Sequence, residues 1–191
     1  MKIFLVRHGQ TKWRKIGFLS YTDLELTKKG IFQAKKIAQK LEKENIDLIY
    51  SSPLKRCRKT AEIIAEILCK KIKIEPSLRE VNFGIFEGLS LKEAEKKYPQ
   101  LFYQRLNDKW NFKIPQGESY KDAAKRILKF LKRLFKRKEK NVVLVTHVTI
   151  IKILLKLISN FSMKEIDKIY FHPTSLTVLE KKGKQIKILK I

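Results

Sequence analysis

Short apolar runs alternate with longer stretches of helical periodicity along most of the chain. Ile3-Phe4-Leu5-Val6 is four consecutive apolar residues closed by Arg7-His8-Gly9, the pattern of a strand buried on both faces. Residues 12–27 have no periodicity and read as a loop, and Thr27 has the chemistry of a helix N-cap. Ile31, Ala34, Ile37, Ala38 and Leu41 then recur at helical spacing up to Asn45. Ile46–Tyr50 is a second short strand closing at Ser51-Ser52-Pro53, and a helix from about Leu54 to Lys70 carries Ala61, Ile64, Ala65 and Leu68 as its stripe. Ile72-Lys73-Ile74 is a weaker third strand.

The middle of the chain is less regular, with two short helices expected near 90–97 and 99–109 and a packed loop around Trp110, Phe112 and Pro115. An amphipathic helix is expected from Ser119 to about Lys138. Asn141–Thr146 is the clearest buried strand, and it too ends in a histidine, His147, ahead of a helix from about Thr149 to Ile158. Segments 175–179 and 185–189 around Gly183 read as an edge hairpin. The β-α-β-α-β rhythm predicts an α/β fold with a mostly parallel sheet and right-handed crossovers. The expected architecture is a doubly wound, three-layer α/β/α sandwich with an antiparallel C-terminal edge strand. No repeat or change of composition divides residues 1–191, so a single domain is expected.

Composition narrows the class. No apolar run approaches the roughly 20 residues of a membrane span, and Arg7 and His8 interrupt the N-terminal run too early for a signal peptide. Cys57 and Cys69 lie in one helical region without metal-ligand spacing, as expected of reduced thiols in a cytoplasmic protein. Lys and Arg number 44 against 19 Asp and Glu, a formal charge of +25. Such a field attracts nucleic acid, anionic surfaces or phosphorylated small molecules. Lysine dominates and is spread over nearly every helix, so solvated surface is the simpler explanation. A thermophilic origin would also fit the lysine content, although Glu is not enriched in step.

The chemistry gathers at strand ends. His8 and His147 each terminate a strand, and the strand ending at Ser51-Ser52 feeds a helix whose first turn carries Arg56. In a doubly wound sheet these ends converge on one crevice. No acidic cluster accompanies the histidines, so no metal site is expected. Two arginines beside a histidine point to phosphate, held by charge-assisted hydrogen bonds, and a neutral histidine is a competent nucleophile. The alternative for either histidine alone is a structural hydrogen-bonding role, and for Glu80 a surface carboxylate. His172 has no such partners in sequence and reads as structural or surface.

Arg7-His8-Gly9-Gln10-Thr11 resembles the signature of the histidine phosphatase (phosphoglycerate mutase-like) superfamily. Leu26-Thr27…Gly30…Gln33-Ala34, Ser52-Pro53…Arg56…Thr60-Ala61, Leu78-Arg79-Glu80 with Phe86-Glu87-Gly88, Gly117-Glu118-Ser119 and Thr146-His147 match it further, in order and over nearly the whole chain. The resemblance implies His8 as a nucleophile forming phosphohistidine. It implies Arg7, Arg56 and His147 on the phosphoryl oxygens, Glu80 as general acid and then base, and Gln10 and Thr11 lining the phosphate site. No cofactor is implied. The partner is a small phosphomonoester, neither membrane nor nucleic acid is expected, and a homodimer is one candidate assembly.

Two departures fall at the expected substrate site: Arg14 where the family usually has Asn, and Val148 where it usually has Gly. A β-branched residue tolerates positive φ poorly, so the backbone at Val148 should be ordinary. Only 37 positions separate Glu80 from Gly117, which resembles the short phosphatase branch, including α-ribazole and metal-independent phosphoserine phosphatases, more than the longer mutases. Phosphoglycerate mutase remains the alternative. The alternative of another class is a basic nucleic-acid-binding protein on the same fold, using Lys125, Arg126, Lys129, Lys132, Arg133, Lys136, Arg137, Lys138 and Lys140.

Overall fold

The structure is a computed structural model describing residues 1–13 and 17–191. Six strands form one sheet: β1 (Lys2–Arg7), β2 (Leu48–Ser51), β3 (Ile72–Ile74), β4 (Asn141–Thr146), β5 (Leu176–Lys182) and β6 (Gln185–Lys190), in the order β3-β2-β4-β1-β5-β6. β1, β2, β3 and β4 run parallel, while β5 and β6 are antiparallel additions beyond β1. The expected antiparallel C-terminal edge strand is β6, with β3 at the opposite edge of the sheet. β5 is paired on both sides, to β1 and β6.

The period of two along each central strand feeds two cores. Ile3, Leu5, Leu48, Tyr50, Val142 and Leu144 enter one, with Ile127, Phe130 and Leu131 from the helix Tyr120–Leu134. Phe4, Val6, Ile49, Val143 and Val145 enter the other, against Ile37, Ala38 and Leu41 of α1 (Lys28–Leu41) and Cys57, Ala61 and Ile64 of α2 (Lys55–Leu68). Continuous apolar runs in the sequence are therefore strands with a core on each side. The remaining helices are α3 (Leu91–Lys97), α4 (Pro99–Asn107), α5 (Tyr120–Leu134), α6 (Val148–Ile158) and α7 (Met163–Lys168).

Thr27 caps α1, its hydroxyl accepting from the Gly30 amide at 3.0 Å. Ser119 caps α5 in a capping box with Asp122. α5 ends at Leu134, four residues before the expected limit. Beyond Phe135 the sequence is all charged up to Asn141, so further turns would bury nothing. The short α7 was not expected, although Ser162 and Glu165 form a capping box that marks it.

Candidate active site

Strand register brings the chemical residues to one edge of the sheet. Arg7 pairs with Thr146 and Ser51 with Val145, so His8, His147 and Ser52, each next in sequence or one beyond, emerge side by side. The loop after β1 is seated on the start of α1. The Gln10 carbonyl accepts from the Thr27 amide at 2.9 Å, and Gln33 Oε1 accepts from the Gln10 amide at 3.0 Å. A Cβ on Gly9 would lie 2.6 Å from the Gly30 carbonyl oxygen, and one on Gly30 would lie 2.2 Å from that of Gln10. Two glycines are thus needed for one close backbone approach.

His8 is 9% exposed, and its Nδ1 lies 2.8 Å from the Gly9 carbonyl oxygen. A carbonyl can only accept, so Nδ1 carries the proton and Nε2 keeps its lone pair. Burial, and then the charges of Arg56 and Arg7, bring the His8 pKa down to about 3, so the ring is neutral at physiological pH. The second histidine stands edge-on, with 5.3 Å between ring centroids. His147 is fully buried, bonded through Nε2 to Ser52 Oγ at 2.9 Å and 3.4 Å from Cys57 Sγ. Burial and Arg56 hold it well below the usual histidine range. The Cys57 thiol is pushed up to about 12, mainly by burial, and at neutral pH is no nucleophile.

Arg56 is the largest fully buried side chain. Its two terminal nitrogens donate to the Thr22 and Ser20 carbonyls, both at 3.0 Å, while Nε has no partner among the described residues. Arg7 donates from Nη1 to the Phe171 carbonyl, and its Nε is also unpartnered. Buried guanidinium donors without protein acceptors are open to an anion. The loop presenting Ser20 and Thr22 is itself held by Glu87, whose carboxylate accepts from the amides of Ser20, Tyr21 and Thr22 and from both hydroxyls. Glu87 was noticed in the sequence only as part of a motif. Its place is structural, shaping the carbonyls that hold Arg56.

Glu80 is 6% exposed. Burial raises its pKa, opposed by the Val81 amide, by Arg56, and by hydrogen bonds from the Thr149 hydroxyl and amide at the start of α6. Its segment is clamped by an ion pair that sequence reasoning missed. Arg126 donates to Glu118 at 2.7 Å, to the Ser77 carbonyl at 2.5 Å and to the Glu80 carbonyl at 3.2 Å, and Glu118 also accepts from the Asn82 amide. The side chains are 17% and 14% exposed. Arg126→Met would leave Glu118 charged and unpaired, at an expected cost of about 3 kcal/mol. The denaturation midpoint in urea reads that cost.

The same pair changes the meaning of the basic stretch. Arg126 is internal, Arg133 is paired with Glu75 and Arg137 with Glu139. The arginines, which would read phosphates best, are all bound to the protein's own carboxylates, and lysines on the solvent face of α5 and just after it remain.

Arg7, His8, Arg56 and Glu80 line a cavity of about 1090 Å³, together with Gln10, Thr11, Val148 and Thr149. The Gln10 side chain accepts from the Thr27 hydroxyl at 3.1 Å, so its amide is oriented by α1. Val148 opens α6 in ordinary helical backbone, as its β-branching requires. Arg14 lies outside the described residues. Among the described residues no three His, Cys, Asp or Glu side chains are grouped to hold a metal ion, and no helix is long and apolar enough to cross a membrane.

Such a site can bind a phosphoryl group against a neutral imidazole nitrogen, with a buried carboxyl group at hand to move a proton. Comparison with known proteins agrees. The sequence model of the histidine phosphatase superfamily (branch 1) matches residues 3–191. The chain is 35% identical over 149 residues to phosphoserine phosphatase 1 of Hydrogenobacter thermophilus, covering 77% of this chain and 71% of that protein. It is 36% identical over 130 residues to a probable phosphoglycerate mutase of Escherichia fergusonii, covering 66% and 60%. The crystal structure of a putative alpha-ribazole-5'-P phosphatase from Escherichia coli superposes with a TM-score of 0.87 at 21% identity, over 100% of this chain and 95% of that one, a likeness of fold.

Proposed function

Because this chain belongs to the histidine phosphatase superfamily (branch 1), we propose that it hydrolyses small phosphomonoesters through a phosphohistidine on His8. The observation that carries this reading is the His8 ring itself: neutral, with its proton fixed on Nδ1 by Gly9, beside the buried Arg56 and the half-buried Arg7, each with a buried Nε unpartnered among the described residues. Nε2 attacks phosphorus in line with the ester oxygen. Arg7, Arg56, His147 and the first amides of α6 take the phosphoryl oxygens, where charge compensation is most of the catalysis. As the P–O bond breaks, Glu80 gives its proton to the leaving oxygen. Its carboxylate then takes a proton from water, which attacks phosphorus and breaks the P–N bond. The cycle ends with neutral His8, protonated Glu80 and inorganic phosphate.

Gln10 and Thr11 border the phosphoryl site. Val148, where the family resemblance leads one to expect glycine, lines it from the start of α6. The single-domain organisation and a cytoplasmic setting are part of the same reading. Hydrolysis rather than isomerisation is favoured by the short segment between Glu80 and Gly117, and by similarity to a protein named phosphoserine phosphatase.

A substrate panel tests the proposal: a chromogenic phosphomonoester, phosphoserine, α-ribazole 5′-phosphate, and 3-phosphoglycerate with and without 2,3-bisphosphoglycerate. Release of phosphate, unaffected by EDTA, is the expected result. Isomerisation of 3-phosphoglycerate stimulated by the bisphosphate would make the enzyme a mutase, and activity lost in EDTA would count against the metal-free mechanism.

A further inference from the structure

The cavity that holds the phosphoryl residues is also lined by Lys152 of α6 and by Asp167 and Lys168 of α7. Lys152 Nζ lies 3.0 Å from Asp167 Oδ1, and Lys109 Nζ lies 2.5 Å from Oδ2 of the same carboxylate. Lys152 is 17% exposed and Lys109 27%. One carboxylate cannot neutralise two ammonium groups, so this half-buried cluster keeps a net positive charge. Lys152 lines the cavity, as do Lys168 next to Asp167 and Lys12 from the loop after β1. Arg7, Arg56, Lys12, Lys152 and Lys168 thus stand among the lining residues against two carboxyl groups, Glu80 and Asp167, and burial moves Glu80 toward its neutral form. A phosphate dianion at Arg7 and Arg56 leaves the Lys152, Lys109 and Asp167 group with its net positive charge. Lys12 and Lys168 are exposed, whereas Lys152 is held mostly out of water, where unbalanced charge is costly.

Helical spacing fixes the span. Val148, next to His147, and Lys152 are four residues apart on α6 and both line the cavity. They therefore lie on one face, just over one turn or about 6 Å apart along the axis. A carboxylate one carbon removed from the carbon bearing the ester oxygen reaches across such a span. Resting on the phosphatase reading above, we propose that Lys152, in a cavity also lined by Lys168 and Lys12, is a second anion subsite that selects phosphomonoesters whose leaving group carries a carboxylate. Asp167 is its positioning residue, orienting Lys152 and moderating its charge. Lysine suits the task, because a compact ammonium recognises a carboxylate as a point charge.

Two substrates isolate the effect: 3-phosphoglycerate and glycerol 3-phosphate share a three-carbon skeleton and differ only in carboxylate against hydroxymethyl. The wild type is expected to favour the carboxylate by at least about tenfold in kcat/KM, equivalent to about 1.4 kcal/mol. Lys152→Met should reduce that preference below about threefold, and Lys152→Arg should keep it. Asp167→Asn, which removes the neutralising charge, should raise the preference, whereas a purely structural role would lower activity on both substrates together. Equal kcat/KM values in the wild type, an unchanged preference in Lys152→Met, or no rise in Asp167→Asn would overturn the subsite. Calorimetric binding of the same two compounds separates the two ideas. Tighter binding of 3-phosphoglycerate without turnover of either would retain the subsite and sink the phosphatase reading. Equal binding sinks the subsite whatever the chemistry.

Discussion

His8→Ala is expected to abolish turnover, with kcat down by at least about 10⁴-fold, the scale seen when a covalent nucleophile is removed from an otherwise intact site. The side chain makes its one ring hydrogen bond to the adjacent Gly9 carbonyl and meets His147 edge-on, so circular dichroism and the urea midpoint of the variant should show that it still folds. Wild-type enzyme quenched during turnover of a labelled phosphomonoester should retain label that is lost in acid and kept in alkali, as a phosphorylated imidazole requires, and the variant should retain none. The wild-type pH profile carries a second signature. A His8 pKa near 3 means that the nucleophile stays unprotonated as pH falls through 6.5. kcat/KM should therefore not drop there, as it would with an ordinary histidine, and should fall only as pH approaches 3. Turnover within tenfold of wild type in His8→Ala would rule out the covalent route.

Glu80→Gln should lower kcat/KM by about 10² to 10⁴-fold for alkyl phosphomonoesters, the usual share of general acid catalysis. The loss should be much smaller for p-nitrophenyl phosphate, whose phenolate leaves without a proton. Burial raises the Glu80 pKa above the usual 4.5, so the acid form persists to higher pH than for an exposed carboxyl. In the wild type, kcat/KM should decline as pH rises through that raised value, because the first step needs the protonated form. The glutamine variant should lack this limb. A basic limb that survives unchanged in Glu80→Gln would assign the acid to another group.

The two variants differ in how their residues could be recognised. His8 follows an apolar run, and a glycine follows it, so strand, turn and candidate chemistry are legible in five letters. Glu80 lies in an irregular segment, and without the family resemblance it reads as a surface carboxylate. Its burial comes from Arg126 and Glu118, which hold residues 77–82 across a gap of up to 49 positions. Pairing over that distance leaves no periodicity, and Arg126 in sequence is one more cation in a basic helix. Lys109, Lys152 and Asp167 are hidden for the same reason, since a charge run does not reveal which lysine turns inward.

The sequence by itself determined the strands, the faces of α1, α2 and α5, the cap at Thr27, the start of α5 at Ser119, and the arrival of two histidines at strand ends. These follow from period and local hydrogen bonding, which act over a few residues. Only the tertiary structure decided which nitrogen of His8 is free, which arginines face the cavity and which are spent on carboxylates, and where positive charge is left over. Those depend on burial and on partners distant in the chain, because desolvation and Coulomb energy are set by what surrounds a group in space.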